Sequence, residues 1–70
     1  MPREDWERLG KSIRTARKAK GLTLQEAADR YGASLRWWQR LERGRNVSLD
    51  GLLRIAKALG VSASKLLQPF

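Results

Sequence analysis

Residues 23–44, TLQEAADRYGASLRWWQRLERG, decide the fold of this 70-residue chain. Thr23 stands three residues before Glu26, and this spacing predicts a capping box at the start of a helix. Gly32 closes that helix, because glycine readily takes the left-handed conformation that ends one. Ser34 follows almost at once and predicts the N-cap of a second helix. The stretch therefore contains two short helices joined by a very tight turn.

A turn this tight, with glycine inside it, predicts a helix-turn-helix motif over about residues 24–43. In the second helix, over 35–43, a rotation of about 100° per residue groups Trp37, Trp38 and Leu41 on one side. We expect Trp38 to lie in the core, and we favour packing at the rim of the core over ligand contact for Trp37. The opposite side carries Leu35, Arg36, Gln39, Arg40 and Arg43.

The chemistry of that opposite side suits the edges of DNA bases. A guanidinium can bond guanine O6 and N7, a glutamine amide can pair with adenine N6 and N7, and leucine can touch a thymine methyl. We therefore predict base contacts from Leu35, Arg36, Gln39 and Arg40. A merely solvated basic face is the alternative, and its place on the second helix of the motif favours DNA.

Three further helices complete an all-α five-helix bundle, which we expect to form a single domain over residues 1–70. The first, over about 4–19, has an apolar stripe of Trp6, Leu9, Ile13 and Ala16. Ser48 predicts the N-cap of the fourth helix, which ends at Gly60 and is expected to face the core with Leu49, Leu52, Leu53, Ala56 and Leu59. Ser62 begins a short fifth helix that ends near Leu67, because Pro69 cannot continue it.

The composition points to a polyanionic partner and away from catalysis. Fifteen Lys and Arg residues against seven Asp and Glu give a net charge of +8, which indicates a polyanion partner or simply solubility. The chain has no cysteine and no histidine, so thiol nucleophiles and the commonest metal ligands are lacking. Glu26 and Asp29 resemble an acid–base pair, but capping explains Glu26 better. We expect no enzyme, catalytic residue, metal site or cofactor.

The sequence also lacks the usual signals for export or membrane insertion. No stretch approaches the ~20 apolar residues that a membrane span needs. Residues 1–5, MPRED, carry acid where a secretory signal carries base. We therefore expect a soluble cytoplasmic protein with no membrane partner.

Together these segments resemble the family of lambdoid phage repressors, Cro and related xenobiotic-response-element-type regulators. The resemblance covers roughly residues 8–67 and depends on many short pieces in order at the family's spacing. They are Ile13-Arg14, Arg17, Gly21-Leu22-Thr23, Glu26-Ala27-Ala28, Tyr31-Gly32-Ala33-Ser34, Leu41-Glu42-Arg43-Gly44, Ser48-Leu49 and Leu52 through Ser62.

The resemblance implies roles for individual residues. Arg17 and Glu42 match an ion pair between the first helix and the end of the recognition helix, although two separate surface charges are the alternative. Leu35, Arg36 and Arg40 match base-contacting positions, and Arg43 and Arg45 match phosphate-contacting ones. We expect Arg14, Lys18 and Lys20 to be solvated. The full set of expected phosphate contacts is Arg17, Gln25, Ser34, Trp37, Arg43, Arg45 and Asn46.

The chain departs from the family pattern at three positions around the motif. Leu24 stands where a phosphate-binding glutamine is usual, and Gln25 lies one position away. Trp38 is larger, and Ala27 smaller, than the usual residues at their positions. We therefore expect the two changes to compensate in volume between the second and third helices.

The C-terminal tail ends in Leu66, Leu67, Gln68, Pro69 and Phe70. It could form a final turn that covers the base of the core. It could equally form a dimer contact through Leu66, Leu67 and Phe70, because so many apolar groups at one terminus are hard for a small domain to bury alone. We expect a homodimer on inverted half-sites about 34–36 Å apart.

These observations predict a transcriptional regulator, a repressor in its simplest form, that binds double-stranded DNA sequence-specifically. One alternative is an antitoxin that also binds a protein partner, and another is a controller protein or phage-type switch that activates as well as represses. A third is an interaction module or membrane-surface peptide that uses the same basic face.

Overall fold

The computed structural model describes all of residues 1–70 and contains five α-helices and no strand. The all-α five-helix prediction is confirmed, and the helix bounds agree to within a residue or two. No helix is both long enough and apolar enough to cross a membrane. The helices are α1 Arg3–Ala19, α2 Leu24–Tyr31, α3 Leu35–Glu42, α4 Leu49–Leu59 and α5 Ala63–Leu66.

The predicted caps of the helix-turn-helix are present. Thr23 Oγ1 accepts from the Glu26 N–H at 3.0 Å, and the Thr23 N–H donates to Glu26 Oε1 at 2.9 Å. Gly32 ends α2 with φ +91°, a conformation that side chains with a Cβ rarely adopt. Ser34 Oγ accepts from the Trp37 N–H at 3.1 Å and caps the start of α3, so that only three residues separate α3 from α2.

The core lies between all five helices and is built around one large aromatic residue. Trp38 of α3 is fully buried, as predicted, together with Ile13, Leu41, Ile55, Leu59 and Leu66. Ala27 and Ala28 of α2 are also fully buried. The small residues of α2 therefore face the same core as the large indole of α3, which is the arrangement that volume compensation requires.

The expectation for α4 was wrong at two of five positions. Leu52, Ala56 and Leu59 are buried, but Leu49 is 72% exposed and Leu53 is 52% exposed. The buried stripe of α4 instead includes Ile55. Leu49 is the first residue of α4 and lines an open groove, and Leu53 lies outside the buried stripe.

The tail resolves into one buried and two exposed apolar residues. Leu66 is fully buried, and its carbonyl accepts from Ser12 Oγ at 2.6 Å, which ties α5 to α1. The expectation that Leu66 takes part in a dimer contact is therefore wrong, because its side chain is buried in the core of the protomer. Leu67 and Phe70 are exposed.

Gly10 allows α1 to lie directly against the end of α3. A Cβ added at Gly10 would lie 2.6 Å from the Glu42 carbonyl oxygen and 2.9 Å from that of Leu41. Any side chain there would push the two helices apart. The absence of a side chain at Gly10 therefore sets the distance between α1 and the end of α3.

Candidate nucleic-acid interface

The outer face of α3 is exposed at three of the four positions predicted to contact bases. Leu35, Arg36 and Arg40 are exposed and Gln39 is half-buried, while Trp38 and Leu41 on the opposite side are buried. Arg36 and Arg40 are four residues apart and therefore lie on one side of the helix. All four residues predicted to contact bases thus lie together on the side of α3 that the rest of the protein leaves uncovered.

The arginines on this face have no acidic partner. The structure contains two ion pairs, Arg3–Glu7 at 3.8 Å and Arg17–Glu42 at 2.6 Å. Arg36, Arg40 and Arg43 take part in neither pair. Their guanidinium groups keep all five N–H donors free for an external acceptor, and in a chain of net charge +8 they add to a positive field that attracts polyanions.

The inner side of α3 carries a buried ionic network. Arg17 Nε donates to Glu42 Oε2 at 2.6 Å and Arg17 Nη2 donates to Glu42 Oε1 at 3.2 Å. The side chains of the pair are only 9% and 7% exposed. Trp38 Nε1 also donates to Glu42 Oε2, at 2.7 Å, so the one polar atom of the core indole is satisfied. The carboxylate therefore joins α1 to α3 and orients the core tryptophan.

Arg17 was also expected to touch a phosphate, and its surroundings leave little capacity for that. Its Nη1 donates to the Leu22 carbonyl at 2.7 Å, in addition to the two bonds to Glu42. Because a guanidinium has five N–H donors, two remain. The side chain lies at the edge of a depression of about 230 Å³ between α1, α2 and α3, lined also by Arg14, Gln39 and Arg43.

Arg14 gains a place at this edge that sequence reasoning did not give it. It was expected to be a solvated helix residue, yet it lines the same depression as Gln39 and Arg43 of the predicted interface. The signal that could have found it is its spacing: Arg14 precedes Arg17 by three residues, and residues three apart share a helix face. A cation there extends the basic surface from α3 onto α1.

Of the remaining predicted phosphate contacts, Ser34 precedes α3, Asn46 follows it and Gln25 lies on α2. Ser34 Oγ accepts the cap hydrogen bond, which leaves its hydroxyl hydrogen free to donate. Gln25 is exposed on the first turn of α2, and its amide donates to Asp29 Oδ1 at 2.9 Å. Leu24, in the usual glutamine position, packs against the core. Asn46 is exposed in the loop after α3.

Trp37 belongs to a row of two stacked aromatic rings with a cation at each end, which the sequence did not indicate. Its ring stacks on Tyr31 with centroids 4.8 Å apart and an interplanar angle of 16°. Arg45 Cζ lies 5.5 Å from the Trp37 centroid, and Arg54 Cζ lies 4.6 Å from the Tyr31 centroid. We call Arg45, Trp37, Tyr31 and Arg54 the cation–aromatic row. It places Trp37 at the rim of the core, as favoured above, and links the α3–α4 loop to α4.

A shifted carboxyl stabilises the motif at its start. The pKa of Glu26 is lowered from the ordinary value of 4.5, chiefly by the hydrogen bond from the Thr23 backbone N–H. The Thr23 side chain and the charge of Arg30 act in the same direction. This carboxyl is therefore held ionised as a cap, and the suggestion that it forms an acid–base pair with Asp29 gains no support from its surroundings.

Comparison with known proteins identifies the family. A family model described as a helix-turn-helix domain matches residues 8–67. An uncharacterized HTH-type transcriptional regulator, y4dJ, from Sinorhizobium fredii (strain NBRC 101917 / NGR234) is 40% identical over 62 residues, which are 87% of this chain and 80% of that protein.

Two solved structures are similar over 90% of the chain. The clp gene regulator ClgR from C. glutamicum has a TM-score of 0.86 and 38% identity, with 83% of its own chain covered. The restriction-modification controller protein C.AhdI from Aeromonas hydrophila has a TM-score of 0.84 and 36% identity, with 97% covered. The protein therefore belongs to the helix-turn-helix family of Cro/C1-type DNA-binding transcriptional regulators, which are not enzymes.

Proposed function

We propose that this regulator represses transcription by placing α3 in the major groove, where Leu35, Arg36, Gln39 and Arg40 read base edges. The observation that carries this proposal is the contrast between the two sides of α3. One side is sealed by Trp38 and Leu41, and the other presents two arginines without any acidic partner. Unpaired guanidinium groups on the second helix of this motif match the donor pattern that guanine accepts.

The groups at the two ends of α3 would hold the backbone. Arg43 and Arg45 follow the helix, Ser34 and Trp37 lie in or beside its first turn, and further phosphate contacts are proposed for Arg17, Gln25 and Asn46. Such contacts set the register of the protein on the duplex and carry no sequence information. With about five phosphates neutralised per subunit, the logarithm of the binding constant should fall against that of salt with a slope near −4.5.

The protein is further proposed to act as a homodimer, with a contact surface shifted from the one first expected. Leu67 and Phe70 remain available, while Leu66 does not. Leu49 and Met1 join them around an apolar groove of about 300 Å³ lined by eight hydrophobic residues and one serine. An exposed apolar patch on a small domain is typical of an association surface.

Selection of bound sequences from a random duplex pool tests the proposal most directly. We expect a preferred site with two inverted halves whose centres lie about 34–36 Å apart. Selection of a single half-site, without an inverted second half, would contradict the dimer. The absence of any preferred sequence would contradict base readout by α3.

The dimer has its own test in the apolar groove. A Leu49→Lys substitution places a charge on an exposed side chain and should leave the folded protomer intact, since Leu49 is not part of the core. Sedimentation equilibrium should then show a shift toward monomer, with loss of cooperative binding to two half-sites. A Leu53→Lys variant, on the same helix but outside the groove lining, is the matched control.

A controller-type role is the second candidate, and the similarity to C.AhdI favours it. That neighbour is a restriction-modification controller protein of nearly the same chain length, with 97% of its chain covered. A repressor and a controller differ in where the operator lies relative to the promoter. In vitro transcription from a promoter carrying the selected site separates them, because a controller raises transcription at some concentration and a repressor only lowers it.

A further inference from the structure

A second basic surface lies outside the face of α3, in a cleft between α2 and α4. Its lining consists of Arg30, Tyr31, Arg54, Lys57 and Ala58, and its volume is about 500 Å³. We call these five residues the α2–α4 cleft. Three of the five are cations and none is acidic, and neither ion pair of the protein involves any of them. The cleft is therefore a concave site of concentrated, unneutralised positive charge.

Two of the three exposed cations of the cleft make contacts within the protein. Arg54 lies over the Tyr31 ring with its Cζ 4.6 Å from the centroid. Arg30 Nη1 lies 3.4 Å from the Ala58 carbonyl oxygen across the cleft, a long hydrogen bond. Because a guanidinium packs on a ring through its flat face, the N–H donors in its own plane stay available to a ligand. Groups ordered in this way lose less entropy when they bind.

The cleft is continuous with the DNA interface through the cation–aromatic row. Tyr31 lines the cleft and stacks on Trp37 of α3, and Trp37 in turn lies beside Arg45 of the following loop. The row thus connects Arg45, after the end of α3, to Arg54 in the middle of α4 through two stacked aromatic rings. Through Tyr31 and Trp37, the cleft adjoins the predicted phosphate contact Arg45.

We propose that the α2–α4 cleft is a second phosphate site for the same duplex, in which Arg54 and Lys57 bind the backbone outside the base pairs that α3 reads. The inference rests on DNA binding by α3. An acidic peptide is the less favoured occupant, because the cleft has no apolar pocket of the kind that anchors a protein partner. A phosphate needs only the bidentate and point-charge donors that arginine and lysine supply.

The test compares two pairs of neutralised cations over a salt series. The variant carries Arg54→Gln and Lys57→Gln, and the control carries Lys11→Gln and Lys65→Gln. The control removes the same charge, because it also replaces two cations. Its residues line a basic cleft of about 390 Å³ between α1 and α5. Affinity for the selected duplex is measured with flanks of about 10 base pairs, one helical turn, on each side, and circular dichroism checks that both variants are folded.

We expect the salt slope of the cleft variant to be less steep than that of the unmodified protein by about 0.9 to 1.8, one or two phosphates, with an unchanged preferred sequence. At about 0.1 M salt this corresponds to a loss of affinity of roughly tenfold per phosphate. The control should change the slope by less than half as much. An equal change in the control would overturn the proposal, because it would indicate a general field effect. An unchanged slope in the cleft variant would overturn it as well.

Shortening the duplex supplies the second readout. Removal of the flanks takes away the phosphates that the cleft would bind, so the unmodified protein should lose about as much affinity as the cleft variant lost. The cleft variant itself should lose little more. Equal losses in both proteins would contradict the proposal. If the protein selects no preferred sequence, the proposed base readout by α3 is wrong. The salt slopes of the unmodified protein and of the cleft variant still show whether the cleft binds phosphate.

Discussion

Arginine has opposite surroundings on the two sides of α3, and this contrast separates the part of the molecule that folds from the part that binds. On the inner side, Arg17 is almost fully buried and donates three hydrogen bonds, two to Glu42 and one to the Leu22 carbonyl. On the outer side, Arg36 and Arg40 are exposed and have no acidic partner. The same guanidinium group therefore stabilises the fold in one place and is left for an external ligand in the other.

Positive charge alone does not mark the candidate interface. Fifteen basic residues are distributed over the chain, and the buried one is the most extensively bonded. The outer arginines differ from Arg17 because their N–H donors have no acidic partner and lie on the side of α3 opposite the core. The contrast makes clear predictions, because changes on the inner side should act on stability and changes on the outer side on DNA binding.

Glu42→Ala should have the largest effect, and it should be on folding. The change leaves the Arg17 guanidinium and the Trp38 indole N–H buried without their shared acceptor. Removal of one partner of a buried pair costs about 3–5 kcal/mol, which approaches the whole stability of so small a domain. Urea denaturation should show a much lower midpoint or no folded baseline.

A double variant shows whether the penalty comes from the orphaned charge. Arg17→Met combined with Glu42→Leu replaces the pair by apolar side chains and should recover a good part of the loss, since such replacements are often neutral. If the double variant were as unstable as Glu42→Ala, the loss would come from packing between α1 and α3 rather than from an unpaired cation.

Trp38→Ile should have the next largest effect. The substitution removes most of a fully buried indole and its bond to Glu42, and we expect a cavity that costs about 1–3 kcal/mol. A Trp38→Ile, Ala27→Leu double variant should regain part of that stability if the two residues compensate in volume. A stabilising Trp38→Ile with Ala27 unchanged would refute the compensation.

Arg36→Ala tests the outer side, where the effect should be on binding alone. We expect a loss of about 1–3 kcal/mol in affinity for the preferred site, with relaxed preference at one base pair. The free energy of unfolding should change by no more than about 0.5 kcal/mol, because the side chain is exposed and unpaired. Competition binding with single-base variants of the site checks this. A uniform loss over all sequences would make Arg36 a phosphate ligand instead.

The sequence was sufficient for the parts of this fold that local chemistry decides. Thr23, Ser34 and Gly32 fix the starts and ends of α2 and α3 through bonds to neighbouring backbone, so their positions could be predicted from spacing alone. The burial of Trp38 followed from the same helical periodicity. Since the ends of α2 and α3 determine which side of α3 faces outward, the candidate base-reading surface could also be predicted.

Features that depend on distant parts of the chain could not be predicted in this way. Leu49 and Leu53 fit the helical spacing of the stripe predicted for α4, which shares Leu52, Ala56 and Leu59 with the buried one, and only the positions of the other helices decide which residues are covered. The contact of Gly10 with the end of α3 and the stacking of Arg54 on Tyr31 join residues more than twenty positions apart. Neither has a local signal.

Glu26→Gln should have the smallest effect, because Glu26 is an exposed charge whose partner is the protein's own backbone. Its pKa is lowered by the hydrogen bond from the Thr23 N–H, then by the Thr23 side chain. A lowered folded-state pKa means that ionised Glu26 stabilises the protein above the ordinary value of 4.5, and that this contribution is lost as the pH falls through the folded-state pKa. Glutamine can still accept the hydrogen bond but has no charge to lose.

Thermal melting should therefore show a slightly less stable variant at pH 7 and a difference that shrinks toward pH 3. A difference independent of pH would mean that the charge of Glu26 contributes nothing, and that the capping box stabilises α2 through its hydrogen bonds alone.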